Sequence, residues 1–184
     1  MSLFYKPTDK EILNTRKKVF LECATTELYN NGFIKSAFST AWFGRNNLGD
    51  FTYEFVRLQE DSKLELLVVH INKGDSYVKL NLNIFDVGSA ITSFKDIENK
   101  NALKLHLPPL SLTKMRLRSD DYRFIPIITP FFYKEHKLGF YLSRKGFNNQ
   151  VNKLCKLLRE DCRNIDRFVH RWHEKNTLQS ICLE

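Results

Sequence analysis

A run of alternating cationic and apolar residues is the clearest candidate for binding chemistry in this sequence. Residues 114–118 read Lys-Met-Arg-Leu-Arg. Alternate residues of a strand project from one face, about 6.8 Å apart. If the run is a strand, Lys114, Arg116 and Arg118 therefore form a basic ladder that an anion can neutralise. The alternative is an edge strand whose cations prevent pairing with another chain.

A second basic pair, Arg144 and Lys145, precedes the last helical pattern of the sequence. Helix N-termini favour negative charge, because their first amide groups lack partners within the helix. We therefore predict that these two cations and the amide groups at 147–150 hold a phosphate, sulfate or carboxylate. The alternative is that both side chains point into solvent or pair with acidic residues elsewhere.

The charge balance favours an acidic partner. The 184 residues contain 29 Lys and Arg against 21 Asp and Glu, a net charge of +8. Residues 101–146 contribute 9 − 3 = +6 of this excess. A localised positive field attracts nucleic acid, anionic membrane surfaces or acidic proteins.

Catalytic and metal signatures are weak. His170 and His173 lie one helical turn apart, but the sequence supplies no further zinc ligand beside them. We read them as a solvated helix end and expect neither a metal nor a cofactor. The sequence contains no G-x-S-x-G elbow, P-loop or dinucleotide fingerprint. His70, in an apolar strand, is the residue we would pair with a carboxylate if a dispersed active site exists.

The four cysteines show no C-x-x-C spacing and predict reduced thiols in a cytoplasmic protein. Cys155 and Cys162 are seven residues apart, about 10.5 Å along a helix, which is too far for a mutual disulfide. We read them as small hydrophobes. The first ten residues lack a secretory signal pattern, and no apolar run reaches the roughly 20 residues that a membrane span needs.

Hydrophobic periodicity supplies the elements that position these residues. Residues 8–31 predict a first helix, with a capping box at Thr8 and Glu11 and a stop at Gly32. The period then changes to two, and the alternation in 77–85 predicts one packed and one wet sheet face. The predicted strands are 51–58, 64–72, 77–85 and 122–128. Short polar turns between them predict an antiparallel meander.

In the later part of the chain, the segment 86–110 shows no clear periodicity, whereas 148–175 shows a clear helical pattern. Residues 86–110 predict a loop with a short helix around 89–98. Apolar residues at three-and-four spacing over 148–175 predict a long amphipathic helix of about 26 residues. Its apolar stripe is covered by the sheet, or alternatively by a second subunit in a homodimer. We therefore expect one α+β domain over 1–184: an antiparallel sheet of five to seven strands with N- and C-terminal helices on one face.

Part of the sequence resembles a family of small bacterial domains of unknown function. The resemblance covers about residues 17–86 and rests on Asn31-Gly32-Phe33, Trp42-Phe43-Gly44-Arg45, the strand 53–58 and the strand 80–85. In that family a helix ends in a Gly-Phe pair and leads into a meander with an Asn-Leu-Gly-type strand. Asn83 stands here where the family tends to have Gly. The resemblance implies a bacterial α+β protein and assigns no functional residues.

These observations predict a non-catalytic module that binds an acidic protein or peptide. The predicted face consists of Lys114, Arg116, Arg118, Arg144 and Lys145. A toxin-neutralising immunity protein is one form of such a module. The first alternative is a protein that binds the phosphate backbone of nucleic acid, and the second is an enzyme with a dispersed site.

Overall fold

The computed structural model describes residues 5–59, 62–89, 91–98, 100–120, 134–181 and 183. It confirms the α+β class, with a seven-stranded sheet and helices before and after it. The central strands β3 (Phe51–Leu58), β4 (Lys63–Ile71) and β5 (Lys79–Asp86) form the antiparallel meander that the turns predict. The predicted strand 122–128 lies outside the described residues.

Short strands complete both edges of this meander. On one edge, β1 (Ile34–Lys35) and β2 (Phe43–Arg45) both pair with β3. On the other edge, β6 (Met115–Arg116) pairs antiparallel with β5 and β7 (Gln179–Ser180) pairs parallel with it. Because β6 and β7 both pair with β5, the basic segment 114–118 and residues 179–180 lie at the same edge of the meander.

The first predicted helix is two helices. α1 (Asp9–Cys23) begins as predicted, since the Thr8 hydroxyl accepts a hydrogen bond from the amide of Glu11. The Glu11 carboxylate does not complete the capping box and instead accepts a hydrogen bond from the Tyr5 hydroxyl. The chain bends at residue 24 and continues as α2 (Thr25–Asn30). Gly32 then ends the helical region with a φ of +80°, a conformation that glycine adopts without steric cost.

The C-terminal helical region also consists of two helices, so the prediction of a single long helix was wrong. α4 (Arg144–Arg163) starts four residues earlier than predicted, and α5 (Ile165–Lys175) follows after a break at Asn164. The apolar stripe nevertheless continues through both helices. It packs against one sheet face together with α1, around the fully buried side chains of Leu158, Phe168 and Trp172.

Both sheet faces are covered, contrary to the predicted wet face. Phe85 and Ile97 belong to a second core, formed on the opposite face by the chain between β5 and β6. That chain contains the short helix α3 (Phe94–Ile97), as predicted, and two 3₁₀ turns at Leu103–His106 and Leu110–Thr113. Asn83, predicted to face water, is 3% exposed and donates to the carbonyl of Leu110. Burying such polar residues is tolerable because the covering chain supplies hydrogen-bond partners.

Candidate functional site: the basic surface of helix α4

The prediction that Lys114, Arg116 and Arg118 project from one face of a strand was wrong, because strand β6 is too short to contain all three. β6 ends at Arg116, and Arg118 has a φ of +68°, which turns its side chain away from the strand. Arg116 lies over the ring of Tyr77, with 4.8 Å from guanidinium carbon to ring centroid. Lys114 is exposed. The three cations therefore have three different environments.

Arg118 belongs to a buried ion cluster around Asp161 of α4. Its Nε and Nη2 donate to the two carboxylate oxygens of Asp161, each at 2.6 Å. Nε2 of His136 lies 2.7 Å from the same carboxylate, and Nη2 of Arg167 donates to it at 2.8 Å. The Asp161 side chain is 0% exposed and that of Arg118 is 11% exposed. Arg118 is therefore committed to an internal carboxylate and is a poor candidate for binding an external anion.

Burial controls the protonation of this cluster. Desolvation lowers the pKa of His136 below its ordinary value, although the hydrogen bond and charge of Asp161 act to raise it, and the positive charges of Arg118 and Arg116 add smaller lowering contributions. Two guanidinium groups already compensate the carboxylate, so a third positive charge is unfavourable there. The neutral imidazole donates its Nε2 proton to Asp161. Hydrogen bonds from these partners hold the pKa of Asp161 below its ordinary value despite burial.

Arg144 and Lys145 are exposed and form the first turn of α4, whereas the prediction placed them ahead of the helix. The amide of Phe147 donates to the carbonyl of Ser143 within the helix, so the predicted anion site at the amide groups 147–150 was wrong. The Ser143 hydroxyl caps this turn by accepting from the amide of Gly146. Asp161, the partner of Arg118, lies 17 residues after Arg144, which is about 25 Å along the helix. Arg118 and Arg144 therefore do not belong to one patch.

The cations of the predicted site instead continue along α4 itself. The helix exposes six cations and only one carboxylate, that of Glu160, because its other acidic residue is the buried Asp161. Four of the cations project from one strip of the helix, within an arc of about 60° at 3.6 residues per turn: Lys145, Lys156, Arg159 and Arg163. We call this strip the α4 basic strip.

A groove of about 660 Å³ accompanies the C-terminal half of the α4 basic strip. Its lining combines cations, side-chain amides, one carboxylate and one sulfur: Asn152, Cys155, Lys156, Arg159, Glu160, Arg163 and Asn164. This volume lies within the range of small-molecule and peptide side-chain sites. Cations and amides together suit carboxylates or phosphates, which need both charge and hydrogen-bond donors.

The groove cations differ in how far they are already neutralised. Arg163 donates to both carboxylate oxygens of Glu27 on α2, at 3.2 and 2.8 Å, and this hydrogen bonding lowers the pKa of Glu27. Among the described residues, Lys156 and Arg159 form no ion pair within 4.0 Å, although the charge of Arg159 also lowers the pKa of Glu27. These two side chains therefore supply the positive charge that the groove offers to a ligand.

The disulfide between Cys23 and Cys155 borders the same groove, so the prediction of reduced thiols was wrong for these two cysteines. Cys23 of α1 and Cys155 of α4 are linked, with 5.4 Å between their Cα atoms. Cys155 lines the groove, whereas Cys23 is 7% exposed within the core. Cys162 is a free, buried thiol whose pKa is raised by burial, as expected of a small hydrophobe.

Lys156, Arg159 and Arg163 do not stand out when charge is summed along the chain. Residues 147–184 contain seven cations and five acidic residues, which hides the excess. Spacing was the available signal, because these cations recur every three or four residues on the polar side of an amphipathic helix. Which acidic residues cancel them depends on burial, and only the structure shows that Asp161 is internal.

The alternative active site around His70 is mostly closed. The Thr52 hydroxyl lies 3.5 Å from Nδ1 of His70, and Nε2 of His106 lies 3.7 Å from the Glu54 carboxylate. Thr52 and Glu54 are buried beneath the chain between β5 and β6. Burial, with the charges of Lys114 and His106, lowers the pKa of His70. Glu54 acts on His70 only through its charge, which acts to raise the pKa of His70, and its carboxylate contacts His106 instead.

Comparisons with known proteins return nothing. The chain matches no protein-family model, no curated protein and no solved structure. The family resemblance of residues 17–86 therefore stays a prediction. No helix within the described residues combines the length and apolar character needed to cross a bilayer.

Proposed function

We propose that this protein is a binding module for an acidic protein or peptide, which docks along the α4 basic strip. The observation that carries the proposal is that, among the residues the structure describes, no carboxylate lies within ion-pair distance of Lys156 or Arg159 beside the groove. Unpaired cations that share one surface create a field that attracts and orients an acidic partner. Lys145 extends this strip toward the N-terminus of α4.

A polypeptide fits the groove better than a nucleic acid does. Glu160 lies in the lining between the cations. Each nucleotide of a nucleic-acid strand carries a phosphate charge, so the strand cannot leave out the charges that face this carboxylate. A peptide can instead carry carboxylates only where the cations lie and place uncharged groups beside Glu160, Asn152 and Asn164. An immunity protein that neutralises an acidic toxin is one form of this activity.

The apolar side of α4 is not available for a partner. Leu154, Leu158 and Cys162 are buried against the sheet within the same chain. The helix therefore offers a second copy only its cationic side, and like charges oppose that contact. For this reason we propose a different, acidic partner rather than a homodimer through the C-terminal helix.

The expected cytoplasmic location bears on the disulfide. Disulfides persist in oxidising compartments, and cytosolic examples are usually transient, catalytic or redox-sensing. A cytoplasmic location thus requires that the link between Cys23 and Cys155 be reversible in the cell.

The test is the binding of a fluorescently labelled peptide of alternating Glu and Gly to the oxidised protein, followed by anisotropy. Replacing Lys156 and Arg159 with Gln removes two exposed charges and should weaken binding about five- to thirtyfold, since each interaction contributes roughly 0.5–1 kcal/mol. The control is Lys73→Gln with Lys95→Gln, which removes two exposed charges away from α4. That control should keep the affinity within about twofold.

Three outcomes contradict the proposal. Equal weakening in both double variants indicates that only net charge matters. Unchanged binding in the groove variant shows that the peptide binds elsewhere. Tighter binding of a single-stranded DNA of equal charge, with a steep dependence of affinity on salt, assigns the surface to nucleic acid.

A further inference from the structure

The two sulfurs of the disulfide differ in how an external molecule can reach them. Cys155 contributes to the lining of the groove on α4, and Cys23 is packed in the core between the helices and the sheet. Thiol–disulfide exchange requires a thiolate to approach one sulfur directly, so access decides which sulfur is attacked. The groove directs an incoming thiolate to Cys155.

The charges of the groove favour an anionic reagent at that sulfur. Lys156 follows Cys155 directly, and Arg159 lies four residues later, one turn along the same side of the helix. A cation at roughly 7 Å in water raises the local concentration of a monovalent anion about threefold, so two cations give about eightfold. Glu160 borders the same groove and opposes part of this attraction.

We propose that Cys155 is a site of exchange with a small anionic peptide thiol, of the glutathione class. This inference rests on the proposed function, because it uses the same groove and makes the acidic peptide a thiol. The carboxylates of such a peptide pair with Lys156 and Arg159, while the amide of Asn152 meets its peptide groups. The groove volume of about 660 Å³ accommodates a tripeptide.

The exchange balances as two nucleophilic displacements. In the first, the peptide thiolate attacks Sγ of Cys155, a new S–S bond forms, and the bond to Cys23 breaks. Cys23 leaves as a thiolate and takes a proton from water. In the second, another peptide thiolate attacks the sulfur of the bound peptide, which releases the oxidised peptide dimer and leaves Cys155 as a thiolate. The two thiols supply both electrons that reduce the protein disulfide.

Cys162 does not take part in this chemistry. It is fully buried, and burial raises the pKa of its thiol. Because the thiolate is the reactive form, Cys162 stays unreactive while the protein is folded. A mixed disulfide at Cys155 is therefore not resolved by this neighbour.

The experiment measures the initial rate of mixed-disulfide formation on the full-length oxidised protein by intact mass spectrometry. Glutathione, 2-mercaptoethanol and cysteamine are compared at equal thiolate concentration and low salt. All three reagents attack as thiolates, whose net charges are −2 for glutathione, −1 for 2-mercaptoethanol and zero for cysteamine. We expect Lys156→Gln with Arg159→Gln to slow 2-mercaptoethanol about eightfold, to slow glutathione by a larger factor and to leave the rate with cysteamine unchanged. Peptide mapping should place the added peptide on Cys155.

The control variant is again Lys73→Gln with Lys95→Gln, which should keep the wild-type rate with glutathione. Addition at Cys23 overturns the inference, as does a cysteamine rate equal to that of glutathione, or an equal loss of rate in both double variants. Binding of the thiol-free Glu-Gly peptide separates the two proposals. Suppose that this peptide binds through the groove, but glutathione reacts no faster with the wild type than with the groove variant. In that case only the proposed exchange site is wrong. If neither uses the groove, the proposed function fails as well.

Discussion

Breaking the disulfide between Cys23 and Cys155 should lower the free energy of unfolding of this protein substantially. The link closes a loop of 132 residues. For a loop of that length, the chain-entropy model gives about 5 kcal/mol at 25 °C, while measured disulfides typically contribute about 2–4 kcal/mol. We therefore expect reduction to remove about 2–5 kcal/mol. The fold should persist at low denaturant, because α1 and α4 also pack through buried side chains such as Phe20 and Leu154.

Urea unfolding followed by circular dichroism, with and without dithiothreitol, tests this expectation. With a slope of about 2–3 kcal/mol per molar urea, the midpoint of the oxidised protein should lie about 1–2 M higher. The double variant Cys23→Ser with Cys155→Ser should unfold near the reduced wild type and should not respond to the reductant. Coincident midpoints for oxidised and reduced wild type would refute the reasoning, since they would show that the two helices are not covalently joined.

Three further changes test the interior. Replacing Asp161 with Asn should lower the free energy of unfolding by about 3–5 kcal/mol, because it leaves the nearly buried guanidinium of Arg118 without its carboxylate. The exposed change Glu174→Gln should cost less than about 1 kcal/mol in the same urea titration, and equal costs would contradict the role of Asp161. The lowered pKa of His136 means that the unfolded chain binds a proton more readily, so stability should fall as the pH drops below about 6.5. His136→Gln should lose that part of the pH dependence, and a stability that rises on acidification would reverse the sign of the argument. Trp172→Phe leaves the carbonyl of Thr113 without its donor, so it should cost about 1–3 kcal/mol in thermal unfolding; a cost near zero would mean that the hydrogen bond is replaced.

The elements of this protein could be predicted from local patterns, because a period of two or of three to four residues reports which side of an element is apolar. The strands 51–58 and 64–72 match β3 and β4 to within one residue. The bends at residue 24 and at Asn164 could not be predicted in this way, since the apolar stripe passes through both breaks. The nearly continuous apolar run around Leu66 and Leu67 is typical of a strand that is buried on both faces. The alternation in 77–85 instead predicted that one face of the sheet is exposed to water.

The candidate site depended on contacts between residues that are far apart in the chain. Sequence alone determined the net charge and the class of fold. Only the tertiary structure decided that Arg118 is neutralised by Asp161, 43 residues later, and that Cys23 meets Cys155. The reason is physical: periodicity is a property of neighbouring residues, whereas the neutralisation of a charge and the pairing of a thiol depend on what the fold places beside them.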